Sequence, residues 1–127
     1  MNTSLMPSMK AATRVIIGLV WLLLLCACKP AVIEPIATDF ARADRLRPAS
    51  AQLAERYERS CMSCHTQRAS GAPLTGFAPH WQERRKKGLP ELEKNALNGF
   101  NAMPAKGGCN DCSPQDLRAL IEFMAGA

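Results

Sequence analysis

Five consecutive residues, Cys61-Met62-Ser63-Cys64-His65, restrict this chain more than any other feature it has. Two thiols three positions apart lie on one turn of a helix, and a histidine follows the second without a gap. That spacing suits two thioether bonds to the vinyl groups along one edge of a haem, with the histidine then placed beneath the iron. A chain attached in this way must fold around a large apolar disc, with a helix delivering the cysteines to its edge. The composition agrees: there are only two Trp, four Phe and one Tyr in 127 residues, and regular strand patterns are nearly absent. A buried prosthetic group would supply hydrophobic bulk that the side chains lack, in a domain small enough to need it.

Six cysteines leave other chemistries to weigh. Cys61 and Cys64 with Cys109 and Cys112 repeat Cys-x-x-Cys, the ligand pattern of a structural zinc site. The 44 residues between the pairs exceed the usual spacing of about 15 to 20, and oxidising compartments disfavour thiolate cages. A thioredoxin-like dithiol at Cys61 and Cys64 would need a preceding strand, and the sequence offers none. One covalently attached haem is therefore the expected cofactor, since serine rather than histidine follows Cys112. For Cys109 and Cys112 a disulfide closing a tight loop is the economical reading, and a catalytic dithiol the functional alternative.

With His65 on one axial position, Met103, Met124, His80 and Met62 compete for the other. Met103 sits in a loop stiffened by Pro104 and freed by Gly107 and Gly108, able to present a thioether from the face opposite the histidine. Met124 belongs to a helical apolar stripe, Met62 is tied to the proximal side, and His80 reads as a surface or edge residue. A closed six-coordinate iron transfers electrons, whereas an open one binds gases or peroxide.

The first 27 residues read as an export signal: Lys10 and Arg14, the apolar run Val15 to Leu25, then small residues. Eleven apolar residues rise only about 16 Å as a helix, too short to span a bilayer. Leu25-Cys26-Ala27-Cys28 resembles the bacterial lipobox, with Cys28 as the lipidated residue, or Cys26 with a poorer fit; simple cleavage to a free periplasmic product is the alternative. Lys29 carries no inner-membrane retention signal of the Asp kind, which favours the outer membrane. Residues 28–48 hold three prolines and little periodicity and read as a flexible tether of roughly 65–70 Å reach. The formal charge of +5 includes Lys10 and Arg14; the mature part carries 14 basic against 11 acidic residues, an excess too modest to imply nucleic acid.

Residues 49–127 form the expected domain, all-α, with three to five helices around the haem. Ser50 caps a helix whose Leu53, Tyr57 and Cys61 share one face. Pro90 starts a second with Leu89, Leu92, Ala96 and Leu97 inward, stopped by Gly99. Ser113, Pro114 and Asp116 open a third, with Leu117, Leu120, Ile121 and Met124 on its inner face, packing on the cysteine-bearing helix.

Tyr57, the Cys-Met-Ser-Cys-His run, Gly71-Ala72-Pro73, Trp81 with Arg84, Lys87-Gly88, Ala96 to Gly99, and Ala102 to Ser113 together make residues 50–127 closely resemble the cytochrome c5 subgroup of bacterial class I cytochromes c. The resemblance implies the compact class I fold, axial ligation by His65 and Met103, a Cys109–Cys112 disulfide, and a haem environment that includes Tyr57, Pro73, Trp81, Arg84 and Pro104. At Pro73 the implied role is to offer its carbonyl to the proximal imidazole N–H. Two departures stand out: Leu53 replaces a glycine that lets the first and last helices cross closely, and Arg85 replaces an apolar residue, creating the basic run Arg84-Arg85-Lys86-Lys87. That run is either a solvated helix face or a docking patch for an acidic redox partner.

The resulting expectation is a periplasmic, lipid-anchored, monohaem carrier of single electrons between respiratory redox proteins, not an enzyme and not a nucleic-acid binder. A haem enzyme or sensor with a labile sixth ligand, and an electron-transfer subunit of a fixed oxidoreductase complex, are the alternatives.

Overall fold

The computed structural model describes residues 32–126. The expected signal segment 1–27 and the lipidation residue Cys28 lie outside them. The chain divides after Val32, and the unit that begins at Ile33 is the one described here. Its α-helices are α1 (Ala37–Ala43), α2 (Ala51–Ser60), α3 (Met62–His65), α4 (Ala78–Arg85), α5 (Leu89–Asn98) and α6 (Pro114–Ala125), with 3-10 turns at Arg68–Ser70 and Ala105–Gly108. Among the described residues there is no β-strand, only one isolated bridge between Phe100 and Met103. The all-α expectation holds. From residue 49 onward the described residues hold five α-helices, α2 to α6, within the expected three to five, and α1 lies in the supposed tether.

That tether requires correction. Asp39 Oδ2 accepts the Ile36 N–H at 3.0 Å and starts α1, whose Ala43 is wholly buried against Leu74 and Phe77, with Phe40 packed beside them. Arg42 donates to the Gly76 carbonyl at 3.0 Å, and the Arg68 guanidinium lies 4.5 Å over the Phe40 ring. Sparse apolar residues at Phe40 and Ala43 suffice here because the surface they meet is supplied by the loop after the haem motif, which sequence periodicity cannot show.

In α2 the Ser50 hydroxyl accepts from Leu53 N, and the helical ladder runs on through the bend, with Cys61 N donating to Tyr57 O and His65 N to Cys61 O. In α6 Ser113 and Asp116 cap each other reciprocally with Pro114 in the first turn. The two helices meet over a core of Tyr57, Cys61, Leu117, Leu120 and Met124, which also takes in Trp81 and both disulfide cysteines. Leu53 packs against this cluster, so the bulk at that position is accommodated at its edge. Tyr57 and Phe123 pack edge to face with centroids 5.0 Å apart. On α5 Ala96 is buried, but Leu97 is 43% exposed, against the expectation that it points inward. It shares that exposure with Phe100, two residues past Asn98 where the helix has already ended.

Candidate functional site

The helical bend places Cys61 and His65 inside and Cys64 outside. Cys61 and His65 are 7% and 6% exposed, and both motif cysteines are free thiols, Cys64 at the surface. Burial, with Cys64 nearby, pushes the Cys61 thiol up to about 11, so it stays protonated until it reacts. Burial also lowers the proton affinity of His65, opposed by its bond to the Pro73 carbonyl. That bond, 2.8 Å from His65 Nδ1 to Pro73 O, commits one ring nitrogen as donor and leaves Nε2 with its lone pair.

The loop carrying that carbonyl is fastened from all sides. Thr75 N donates to His65 O at 2.9 Å and Gly76 N to Met124 O at 2.8 Å. Trp81 Nε1 donates to Leu74 O at 2.8 Å, and the Tyr57 hydroxyl to Thr75 Oγ1 at 3.0 Å. The Trp81 and His65 rings lie 6.1 Å apart and nearly parallel. Tyr57 and Trp81 thus act on the histidine's loop, and Arg84 lies one step further out, donating to the His80 carbonyl. His80 is not a bare surface residue: its Nδ1 accepts the Leu74 N–H at 3.0 Å, and burial lowers its proton affinity, with Arg84 adding to the effect. Neither Thr75, 0% exposed, nor this use of His80 had a signal in the sequence, because both depend on how the Pro73–Gly76 loop folds back.

Met103 lies across a two-bond bridge from Phe100, each donating its N–H to the other's carbonyl at 3.0 Å. The loop continues through Lys106 and Gly107, both with positive φ, into the Cys109–Cys112 disulfide. This pairing consumes two of the four cysteines that a zinc cage would need, and among the described residues no group of three or more His, Cys, Asp or Glu could hold a metal ion. Met124 is buried in the core and Met62 packs against the core's edge. Arg59 on α2 donates to Asp111 Oδ1 at 2.6 Å, and Arg56 pairs with Asp116 Oδ1 at 2.6 Å, tying the disulfide loop and the start of α6 to the cysteine-bearing helix.

The donor set fits a haem c: two free thiols on one helical turn, an imidazole with one nitrogen already engaged, and a thioether in a separate loop flanked by the exposed Phe100. A helical bundle organised about such a turn defines a class I c-type cytochrome. Residues 48–124 match the family described as cytochrome c oxidase, cbb3-type, subunit III. Curated relatives include cytochrome c5 of Ectopseudomonas mendocina, 43% identical over 68 residues covering 52% of this chain and 78% of the relative. Cytochrome c5 of Azotobacter vinelandii is also 43% identical, over 52% of this chain and 82% of the relative. Cytochrome c-555 of Prosthecochloris aestuarii is 32% identical over 54% and 77%. No solved structure is significantly similar to the chain. The chain belongs to the cytochrome c5-type monohaem class I cytochromes, with one covalently bound haem c and an electron-carrying role.

Proposed function

We propose that this protein carries single electrons between respiratory redox proteins in the bacterial periplasm. The observation that carries the reading is the His65 Nδ1 to Pro73 O bond of 2.8 Å, which orients the ring and leaves Nε2 for iron. In this reading Cys61 and Cys64 form the thioether bonds, and His65 and Met103 are the axial ligands. When bound, the haem supplies a centre that accepts and returns one electron, and thioether ligation favours its reduced form. The polypeptide holds both ligands through the cycle: the Pro73–Gly76 loop fixes His65, and the disulfide loop backs Met103. Pro104 contributes by stiffening the stretch beside Met103.

Cys28 is the proposed lipid anchor, with the outer membrane favoured. The Pro35 carbonyl accepts from Arg68, so the packed unit already includes part of the stretch expected from sequence to be a tether. The basic run at the end of α4 is the proposed docking face for an acidic partner. In it Lys86 is engaged with Glu83, which leaves Arg85 and Lys87, both exposed, as its principal charges. The matched family description names an oxidase subunit, which favours a fixed electron-transfer subunit as the second reading.

The test is to mix the reduced holoprotein with carbon monoxide and, separately, with respiratory membranes. A carrier leaves carbon monoxide unbound, is reoxidised by the membranes with a strong salt dependence, and purifies alone. Rapid carbon monoxide binding would replace this reading with an enzyme or sensor; stoichiometric co-purification with an oxidase would replace it with a fixed subunit.

A further inference from the structure

Pro73 and Leu74 share one peptide group, and both of its polar ends are bonded to a histidine ring. On the carbonyl side His65 Nδ1 donates to Pro73 O at 2.8 Å. On the amide side Leu74 N–H donates to His80 Nδ1 at 3.0 Å. A backbone N–H can only donate, so His80 Nδ1 is the unprotonated nitrogen of a neutral ring. Hydrogen bonds in series through a polarisable group strengthen one another in a low-dielectric interior. The peptide has little freedom to turn away, because Trp81 Nε1 holds Leu74 O at 2.8 Å and Thr75 N holds the carbonyl of His65 itself at 2.9 Å.

We propose that His80 is a positioning residue for electron transfer, acting through the Pro73–Leu74 peptide to set how strongly the His65 Nδ1–H is drawn off the ring, and so the reduction potential, in a pH-dependent way. The inference rests on the axial role proposed for His65. Neutral His80 pulls the Leu74 amide hydrogen toward itself, the Pro73 carbonyl oxygen gains negative charge, and His65 becomes a more basic ligand that favours the oxidised state. Once protonated at Nδ1, His80 can no longer accept, the chain of bonds breaks at the amide, and the oxidised state loses that support. By linkage, reduction raises the proton affinity of His80, so electron uptake is accompanied by uptake of up to one solvent proton at Nδ1.

His80 is placed for such a switch. Arg84 on its own helix and Glu34 on the segment before α1 are the charged groups that act on it; the arginine opposes its protonation and the glutamate favours it. The Phe77 ring stands edge-on at 4.9 Å. Burial sets the balance, holding the proton affinity of His80 below that of an ordinary histidine, so at neutral pH the acceptor form prevails.

The test is an equilibrium redox titration of the holoprotein over about pH 5 to 8, the range a histidine can report, for wild type, His80→Ala and His80→Gln. Wild type should show a potential that rises as pH falls through the lowered pKa of His80. His80→Ala should lose that inflection and sit, already at neutral pH, at the higher potential of the wild-type acid limb. His80→Gln offers a carbonyl acceptor that does not titrate, and should be flat at the wild-type neutral value. A pure charge effect would leave His80→Ala at that same neutral value, and this result would overturn the proposal. The proton resonance of His65 Nδ1 in the reduced protein should move with pH in wild type and in His80→Ala relative to wild type, but not in His80→Gln. A wild-type potential and resonance that are both flat over the range would also overturn it, whether or not the variants fold. Magnetic circular dichroism of the oxidised wild type identifies the axial pair independently, so failure of the His65 assignment is read separately from failure of the His80 inference.

Discussion

Gly99→Ala should loosen the Met103 loop, and the structure sets the size of the effect. Gly99 ends α5 at φ 85°, ψ 155°, a region almost confined to glycine, where another residue costs about 1–3 kcal/mol. A Cβ there would lie 2.9 Å from the Met103 carbonyl oxygen, 3.1 Å from Ala105 N and 3.2 Å from Pro104 C. All three are backbone atoms, so no rotamer change relieves the contact, and the loop itself must move. If the strain is released by opening that loop, about 1–3 kcal/mol raises the population with Met103 displaced by roughly 5- to 150-fold. The assay pairs thermal unfolding with the weak red-region band that thioether-to-Fe(III) ligation produces. Gly71→Ala is the control: Gly71 is also left-handed, at φ 65°, but a Cβ on it would meet no atom within 4 Å. That variant should lose about 1–2 kcal/mol of stability with the band unchanged. The reasoning is refuted if Gly99→Ala keeps both stability and band, or if both variants weaken the band equally.

Tyr57→Phe removes the donor to Thr75 Oγ1, with Tyr57 and Thr75 both 0% exposed; the unpartnered hydroxyl should cost about 1–3 kcal/mol in denaturant unfolding. Replacing Cys109 and Cys112 together by serine removes the Cys109–Cys112 disulfide, whose three-residue separation makes the expected loss about 2 kcal/mol, read as the difference in denaturant unfolding between the variant and oxidised wild type. For Asp111→Asn the prediction is a pH dependence. The Arg59 hydrogen bond holds the Asp111 carboxyl below its ordinary value, so its contribution is present above the ordinary carboxylate range and is lost as pH falls through the depressed folded value. The stability gap between wild type and variant should therefore be open at about pH 7 and closed in strong acid, and a gap that widens on acidification would contradict the ion pairing.

The parts of this protein that were legible in the sequence are those encoded by local rules. The Cys-x-x-Cys-His turn, the Ser50 and Ser113 caps, the Pro114 start and the Gly99 stop each state their geometry in a few adjacent residues, and each is found where its spacing put it. The parts that were not legible depend on surfaces that form only in three dimensions. Helix α1 looked like a linker because its apolar residues are few, yet Ala43 and Phe40 meet Leu74 and Phe77. His80 looked like an edge residue because its partner is a backbone amide, which leaves no mark in a side-chain pattern. Arg56 and Arg59 face Asp111 and Asp116 across a separation of more than fifty positions, a pairing that composition alone cannot assign.

The central claim is that His65 and Met103 close the two axial positions of one haem held by Cys61 and Cys64. It is tested most directly by the red-region band of the oxidised holoprotein, compared between wild type, Met103→Ala and Met124→Ala. The band is expected in wild type and in Met124→Ala, with its loss in Met103→Ala together with new binding of carbon monoxide on reduction. A band that survives in Met103→Ala, or one that disappears in Met124→Ala while that protein remains folded, would contradict it.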